Sequence, residues 1–159
     1  MLAAILHAHP DLCRRVLDLS PTATAAADRF AAAGLDDRAS AVSGSFFDPL
    51  PVGADAYLLS DILHDRDDDH ARKILAGCRR AAPPNGTVVV IEPVRGQGAD
   101  TAIDLFILMC FGGRERTVDE LARLAADCGL MLHGSRPVAE GRTALEFGVA
   151  PPHMVDEPG

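Results

Sequence analysis

Chemistry-bearing side chains crowd into one stretch, Leu63-His64-Asp65-Arg66-Asp67-Asp68-Asp69-His70. Asp65, Asp67 and Asp69 have the alternation of a calcium loop. That loop's glycine position, however, is His70 here, and its closing glutamate position is Ala76. A transition metal is served no better, because His64 and His70, six apart on one helix, would point about 240° apart. No metal is therefore expected. Asp67, Asp68 and Asp69 read instead as a helix start, where carboxylates cap free N–H groups and meet the positive end of the dipole.

His64 is different. It falls just past the C-terminal end of a predicted parallel strand, the edge at which open α/β sheets bind ligands. A lone histidine near a core is more often structural, so its neighbours decide. Glu92 ends the most apolar strand of the chain and precedes Pro93, while Glu115 follows Gly112-Gly113-Arg114 on a loop entering a helix. An unpaired buried glutamate is too costly, so Glu92 is either at a crevice rim or buried with a partner. If His64, Glu92 and Glu115 converge, they form a base held by two carboxylates. Asp18 also ends a strand; it is a ribose-gripping acid or a turn residue. His7 and His9 are too sparse for a metal, and Gly96 with Gly98 lack the third glycine of a phosphate loop.

The elements that must position these residues alternate in type. Leu2 to His9 is helical and stopped by Pro10. Strands are predicted at 15–19, 39–44 and 54–60, with an alanine-rich helix from Thr22 to Ala33 closed by Gly34. Asp67 to Ala82 is a helix whose Ala71, Ile74, Leu75 and Cys78 share one face. After the turn Pro83-Pro84-Asn85-Gly86, Thr87 to Glu92 is continuously apolar up to its final acid, as a strand buried on both faces would be. Helices follow at 103–111 and from Thr117, where Thr117 and Glu120 form a capping box. A hairpin then runs from Leu130 to Val149, and the tail from Pro151 is loose. The pattern is one α/β domain over 1–150 with an antiparallel edge.

Composition narrows the class. The chain has 159 residues, 48% of them hydrophobic, and a net charge of −8, with no Lys/Arg cluster able to neutralise several phosphates. Nucleic acid is therefore not an expected partner. Its longest apolar run falls well short of the ~20 residues a membrane helix needs, and no targeting segment is visible. Cys13, Cys78, Cys110 and Cys128 are scattered, consistent with reduced thiols in a cytoplasmic protein.

Five stretches taken together resemble the S-adenosylmethionine-dependent O-methyltransferases that act on small molecules. They are VLDL (16–19), GSFFDPLP (44–51), ADAYLLSDILHDRDDDHARKIL (54–75), PPNGTVVVIEPV (83–94) and FGGRERTVDEL (111–121). The resemblance implies a Rossmann-like methyltransferase sheet, mostly parallel with a C-terminal antiparallel hairpin. It also implies methyl transfer to a hydroxyl of a small aromatic or polyketide-like acceptor. By position, His64 matches the catalytic base, Asp65 the acid beside it, and Glu92 and Glu115 the flanking acids. Asp18 matches the carboxylate on the cofactor ribose, and Phe46 the residue beside the adenine. Asp104, Ile107 and Phe111 fall on the helix that lines the acceptor pocket.

Four positions depart from the family. Ser45 replaces an aspartate near the adenine, Ser60 a common lysine, Arg66 a tryptophan and Ser20 a proline. The resemblance further implies that the first strand and its glycine-rich loop lie upstream of Met1, with a homodimer expected only where an upstream domain is present. On that expectation a catalytically inactive remnant, acting at most as an interaction protein, is the alternative to an active enzyme. A metal-dependent hydrolase built on His64, Asp65 and His70 lacks the ligand spacing.

Overall fold

The computed structural model describes residues 2–96, 109, 112–138 and 141–150. Asp104, Ile107, Phe111 and the tail from 151 lie outside the described residues. The chain divides into two compact units, Met1–Asp48 and Pro49–Gly159.

The first unit holds α1 (Leu2–Ala8), β1 (Arg14–Asp18), α2 (Ser20–Ala32) and β2 (Ala39–Ser43). β1 and β2 pair in parallel, with Asp18 opposite Ser43 at the C-terminal edge. Leu6, Phe30, Leu35 and Ala39 form a buried cluster with Val16 packed against it. Arg38 gathers carbonyls at the end of α1 and in the turn beyond it: its guanidinium donates to Leu6 O at 3.3 Å and Pro10 O at 2.9 Å. Helix α2 starts two residues before the predicted Thr22. Pro21 sits in its first turn, where a missing N–H costs nothing. Gly34, at φ +65°, closes it.

The second unit holds β3 (Ala56–Ser60), α3 (Asp68–Ala81), β4 (Thr87–Pro93), α4 (Val118–Asp127), β5 (Leu130–Pro137) and β6 (Arg142–Val149). Its sheet runs β3-β4-β6-β5. β3 and β4 are parallel, β6 is antiparallel to both β4 and β5, and so β6 alone is reversed. The predicted apolar face of α3 is the buried one: Ala71, Ile74, Leu75 and Cys78 are at most 1% exposed. β4 departs from the expectation of burial on both faces. Val88, Val90 and Glu92 are buried while Val89, Ile91 and Pro93 are partly exposed, because the pleat sends alternate residues to opposite faces and one face is more fully covered. That alternation places Glu92 among core valines. Ser60 pairs with Ile91 across β3 and β4, so the segment leaving β3 meets Glu92 at the same sheet edge.

Candidate active site

The site is built around the Glu92 carboxylate, which is 2% exposed. The chain leaves β3 through Asp61, whose φ of +55° is left-handed, a conformation that aspartate tolerates better than most residues. This reversal turns successive backbone N–H groups toward β4. Oε1 of Glu92 accepts from Ile62 N at 3.0 Å and Leu63 N at 2.6 Å, and Oε2 accepts from His64 N at 2.9 Å. The buried charge is thus met by aligned donors, which repay its desolvation. The turn has a second brace, since Arg142 Nε donates to both Asp61 carboxylate oxygens at 2.9 and 3.1 Å.

The His64 ring completes the set. Its Nδ1 lies 3.0 Å from Glu92 Oε2, and its Nε2 lies 3.4 Å from Asp65 Oδ1. An ionised carboxylate only accepts, so Nδ1 carries the proton and neutral His64 keeps its lone pair on Nε2. The side chain is 12% exposed. Burial opposes protonation, but the hydrogen bond to Glu92 and the charges of Glu92, Asp65 and Asp61 outweigh it. The imidazole pKa is raised above its usual value. This is an oriented base whose protonated form is stabilised by nearby acids.

A second loop packs on the first. Gly113 lies against the backbone of His64, Asp65 and Arg66, where a Cβ would overlap the His64 carbonyl oxygen. Glu115 is 2% exposed, two residues from Gly113 in the same segment. Arg116, also 2% exposed, donates to Leu63 O at 2.8 Å, Arg66 O at 2.7 Å and Asp68 Oδ1 at 2.9 Å. Its motif was legible in the sequence, but nothing marked this arginine as buried. The structure joins His64 directly to Glu92 and sets the Glu115 segment against their loop.

The acidic run divides its labour. Asp67 caps α3 by accepting from His70 N at 2.8 Å, and Asp69 pairs with Arg72 at 3.3 Å. Asp68 does more than the dipole role read from the sequence, because it carries the charge opposite Arg116. Burial alone would raise its pKa, but bonds and charges from Arg116 and Arg114 hold it below the usual range. Thr117 and Glu120 form the predicted capping box on α4.

In the first unit, Asp18 is half-buried at the end of β1 and Oδ1 accepts from Leu19 N at 2.7 Å. Ser45 Oγ accepts from Phe47 N at 3.1 Å, and the Phe46 and Phe47 rings meet edge to face at 4.8 Å. Ser60 is half-buried in β3.

Residues 1–131 match the O-methyltransferase domain family. A 2,7-dihydroxy-5-methyl-1-naphthoate 7-O-methyltransferase of Streptomyces carzinostaticus is 50% identical over 140 residues, covering 87% of this chain and 42% of that protein. An aclacinomycin 10-hydroxylase of Streptomyces purpurascens is 44% identical over 153 residues, covering 92% and 40%. Among solved structures, an O-methyltransferase from neocarzinostatin biosynthesis, in complex with S-adenosylmethionine and 2-hydroxy-5-methyl naphthoic acid, matches with a TM-score of 0.89. It is 48% identical and covers 93% of this chain and 45% of that one. The chain therefore spans less than half the length of these relatives. The α/β methyltransferase fold and the family assignment agree with the resemblance carried by the five motifs. By a match that runs from residue 1 to residue 131, the chain belongs to the O-methyltransferase domain family.

Proposed function

We propose that this chain is the catalytic part of an S-adenosylmethionine-dependent O-methyltransferase, with His64 as general base toward a hydroxyl on a small aromatic acceptor. The observation that carries the reading is the His64–Glu92 pair: Nδ1 is engaged at 3.0 Å by a buried carboxylate, which leaves Nε2 as the basic atom. One named relative is a dihydroxynaphthoate O-methyltransferase and the solved O-methyltransferase holds a hydroxynaphthoic acid, so a hydroxynaphthoate is the acceptor class proposed here.

S-adenosylmethionine, when bound, supplies a methyl group on a cationic sulfur that leaves as a neutral thioether. The chain's own residues fit that partner. Asp18 uses one carboxylate oxygen on Leu19 N, and its second oxygen has no hydrogen bond among the described residues, as a ribose diol would require. Phe46 offers a half-buried ring for an adenine, while the Ser45 hydroxyl shapes that loop through Phe47 N. Ser60 is proposed beside the cofactor; Asp104, Ile107 and Phe111 are proposed to line the acceptor pocket.

His64 Nε2 takes the hydroxyl proton as the acceptor oxygen bonds to carbon. Glu92 and Asp65 stabilise the resulting imidazolium, which returns its proton to solvent. Glu115, buried in the adjoining loop, is proposed as the second flanking acid. Because the leaving group needs no acid, positioning supplies much of the rate. One relative at 44% identity bears a hydroxylase's name, so the assay must distinguish the products. Purified protein is incubated with S-adenosylmethionine and a hydroxynaphthoic acid, and the product is weighed by mass spectrometry. A methylated product is expected, with His64→Gln slowing it by about 10²–10⁴. A hydroxylated product, or full turnover by His64→Gln, overturns the assignment.

A further inference from the structure

We propose that Arg116 is a positioning residue for His64, its buried guanidinium holding the loop on which the imidazole meets Glu92. The proposal rests on the reading of His64 as the base.

The loop is gripped from two sides by opposite charges. Glu92 takes N–H groups, those of Ile62, Leu63 and His64. Arg116 takes carbonyls: Leu63 O at 2.8 Å and Arg66 O at 2.7 Å, one on each side of His64 and Asp65. The two grips come from backbone segments that are bridged to each other. Arg116 forms a parallel bridge with Val94, two residues beyond Glu92, and accepts from Arg95 N at 3.0 Å through its own carbonyl. The anchor for the N–H groups and the anchor for the carbonyls are therefore fixed relative to each other.

The residue type suits the task. Arginine presents donors in a rigid planar fork, so one side chain can satisfy two carbonyls and a carboxylate together; lysine has a single donor centre and cannot span them. Asp68, at 2.8 Å from a terminal guanidinium nitrogen, supplies the counter-charge. Gly113 allows the close approach, since any Cβ there would run into the His64 carbonyl. The hydrogen bonds of the Arg116 guanidinium go to Leu63 O, Arg66 O and Asp68, none of them to the imidazole itself. Its effect on His64 must pass through loop geometry.

The test reads the imidazole directly. Nitrogen-15 NMR of the whole chain follows the His64 ring, with Glu92, Asp65 and Asp61 facing it, in wild type, Arg116→Lys and Asp68→Asn. Arg116→Lys is expected to lose the hydrogen-bonded Nδ1–H signal and to lower the His64 titration midpoint toward that of free imidazole. Amide signals of the β5–β6 hairpin should stay in place. Asp68→Asn, which keeps Arg116 but removes its counter-charge, should shift the midpoint part of the way. An unchanged His64 signature in folded Arg116→Lys overturns the proposal. Should Arg116→Lys not fold, an unchanged signature in Asp68→Asn overturns it, and loss of the fold in both would assign Arg116 to stability alone. Methyl transfer is not measured here, so failure of the methyltransferase reading shows in the product assay and not in these spectra.

Discussion

Gly113 packs so tightly on His64 that the two loops cannot both stay in place if residue 113 carries a side chain. A Cβ at Gly113 would overlap the His64 carbonyl oxygen and stand 2.7 Å from Arg66 N, and both are backbone atoms that cannot swing away. Gly113→Ala is therefore expected to cost about 1–3 kcal/mol, the usual range for overpacking. On the proposed function it should also lower methyl transfer, by displacing His64. Equilibrium urea unfolding checks the first outcome and turnover the second; a variant as stable and as active as wild type would show that the loops separate freely.

Glu92 should be more sensitive than a flanking acid alone would be. Three backbone N–H groups and His64 Nδ1 converge on its carboxylate. Glu92→Ala leaves those donors without their acceptor, at about 1–3 kcal/mol for each one that stays buried and unpaired. The expected loss is several kcal/mol, enough to unfold much of the unit. Glu92→Gln keeps one acceptor oxygen but turns an amide N–H toward the donors. It should fold with reduced stability and a lowered His64 midpoint, measurable by thermal melting and NMR.

The pH response of the site follows from His64 and Asp68, two of its shifted groups. The folded-state pKa of His64 is raised, so its stabilising contribution is present below the unfolded imidazole value and is lost as pH rises through the folded one. Asp68 is shifted down, so its contribution is present above the unfolded carboxylate value and is lost as pH falls through the folded one. Stability should therefore decline on both sides of a mildly acidic region. The proposed catalysis has a different demand, since His64 must be neutral to act as the base. Turnover should rise with pH through the raised His64 midpoint, and that limb should move to lower pH in Asp65→Asn, which removes one supporting charge. A rate profile with no ascending limb would count against His64 as the base.

What could be read in advance was local. The buried face of α3, the Thr117–Glu120 box and the glycine stop after α2 are each written in a few neighbouring residues. His64 and Glu92 were legible as strand-end residues because parallel strands share an edge. Arg116 was not, since an arginine directly after Arg114 and Glu115 reads as solvated until two carbonyls and an aspartate from about fifty residues upstream close around it. The Asp61–Arg142 brace is likewise tertiary. It depends on β6 lying beside β4, an adjacency that no periodicity within either strand encodes.

The thiols offer a check on packing that is independent of catalysis. Cys78 lies on the buried face of α3, 1% exposed, and burial pushes its thiol pKa up to about 12. Attack on a disulfide reagent requires thiolate, so Cys78 is shielded twice, by access and by ionisation. Cys13, between α1 and β1, is exposed. Cys128 is intermediate; burial and the charge of Asp127 raise its pKa, and its Sγ donates to Arg72 O at 3.4 Å. Labelling of native protein near pH 8, resolved by peptide mass spectrometry, should proceed at Cys13 first, at Cys128 more slowly, and at Cys78 only as fast as the unit opens. Low denaturant should therefore accelerate Cys78 in parallel with the unfolding measured by circular dichroism. Equal rates at Cys13 and Cys78 in the native protein would mean that α3 does not keep its apolar face buried. The helix start that organises Asp67, Asp68 and the His64 loop would then lose its foundation.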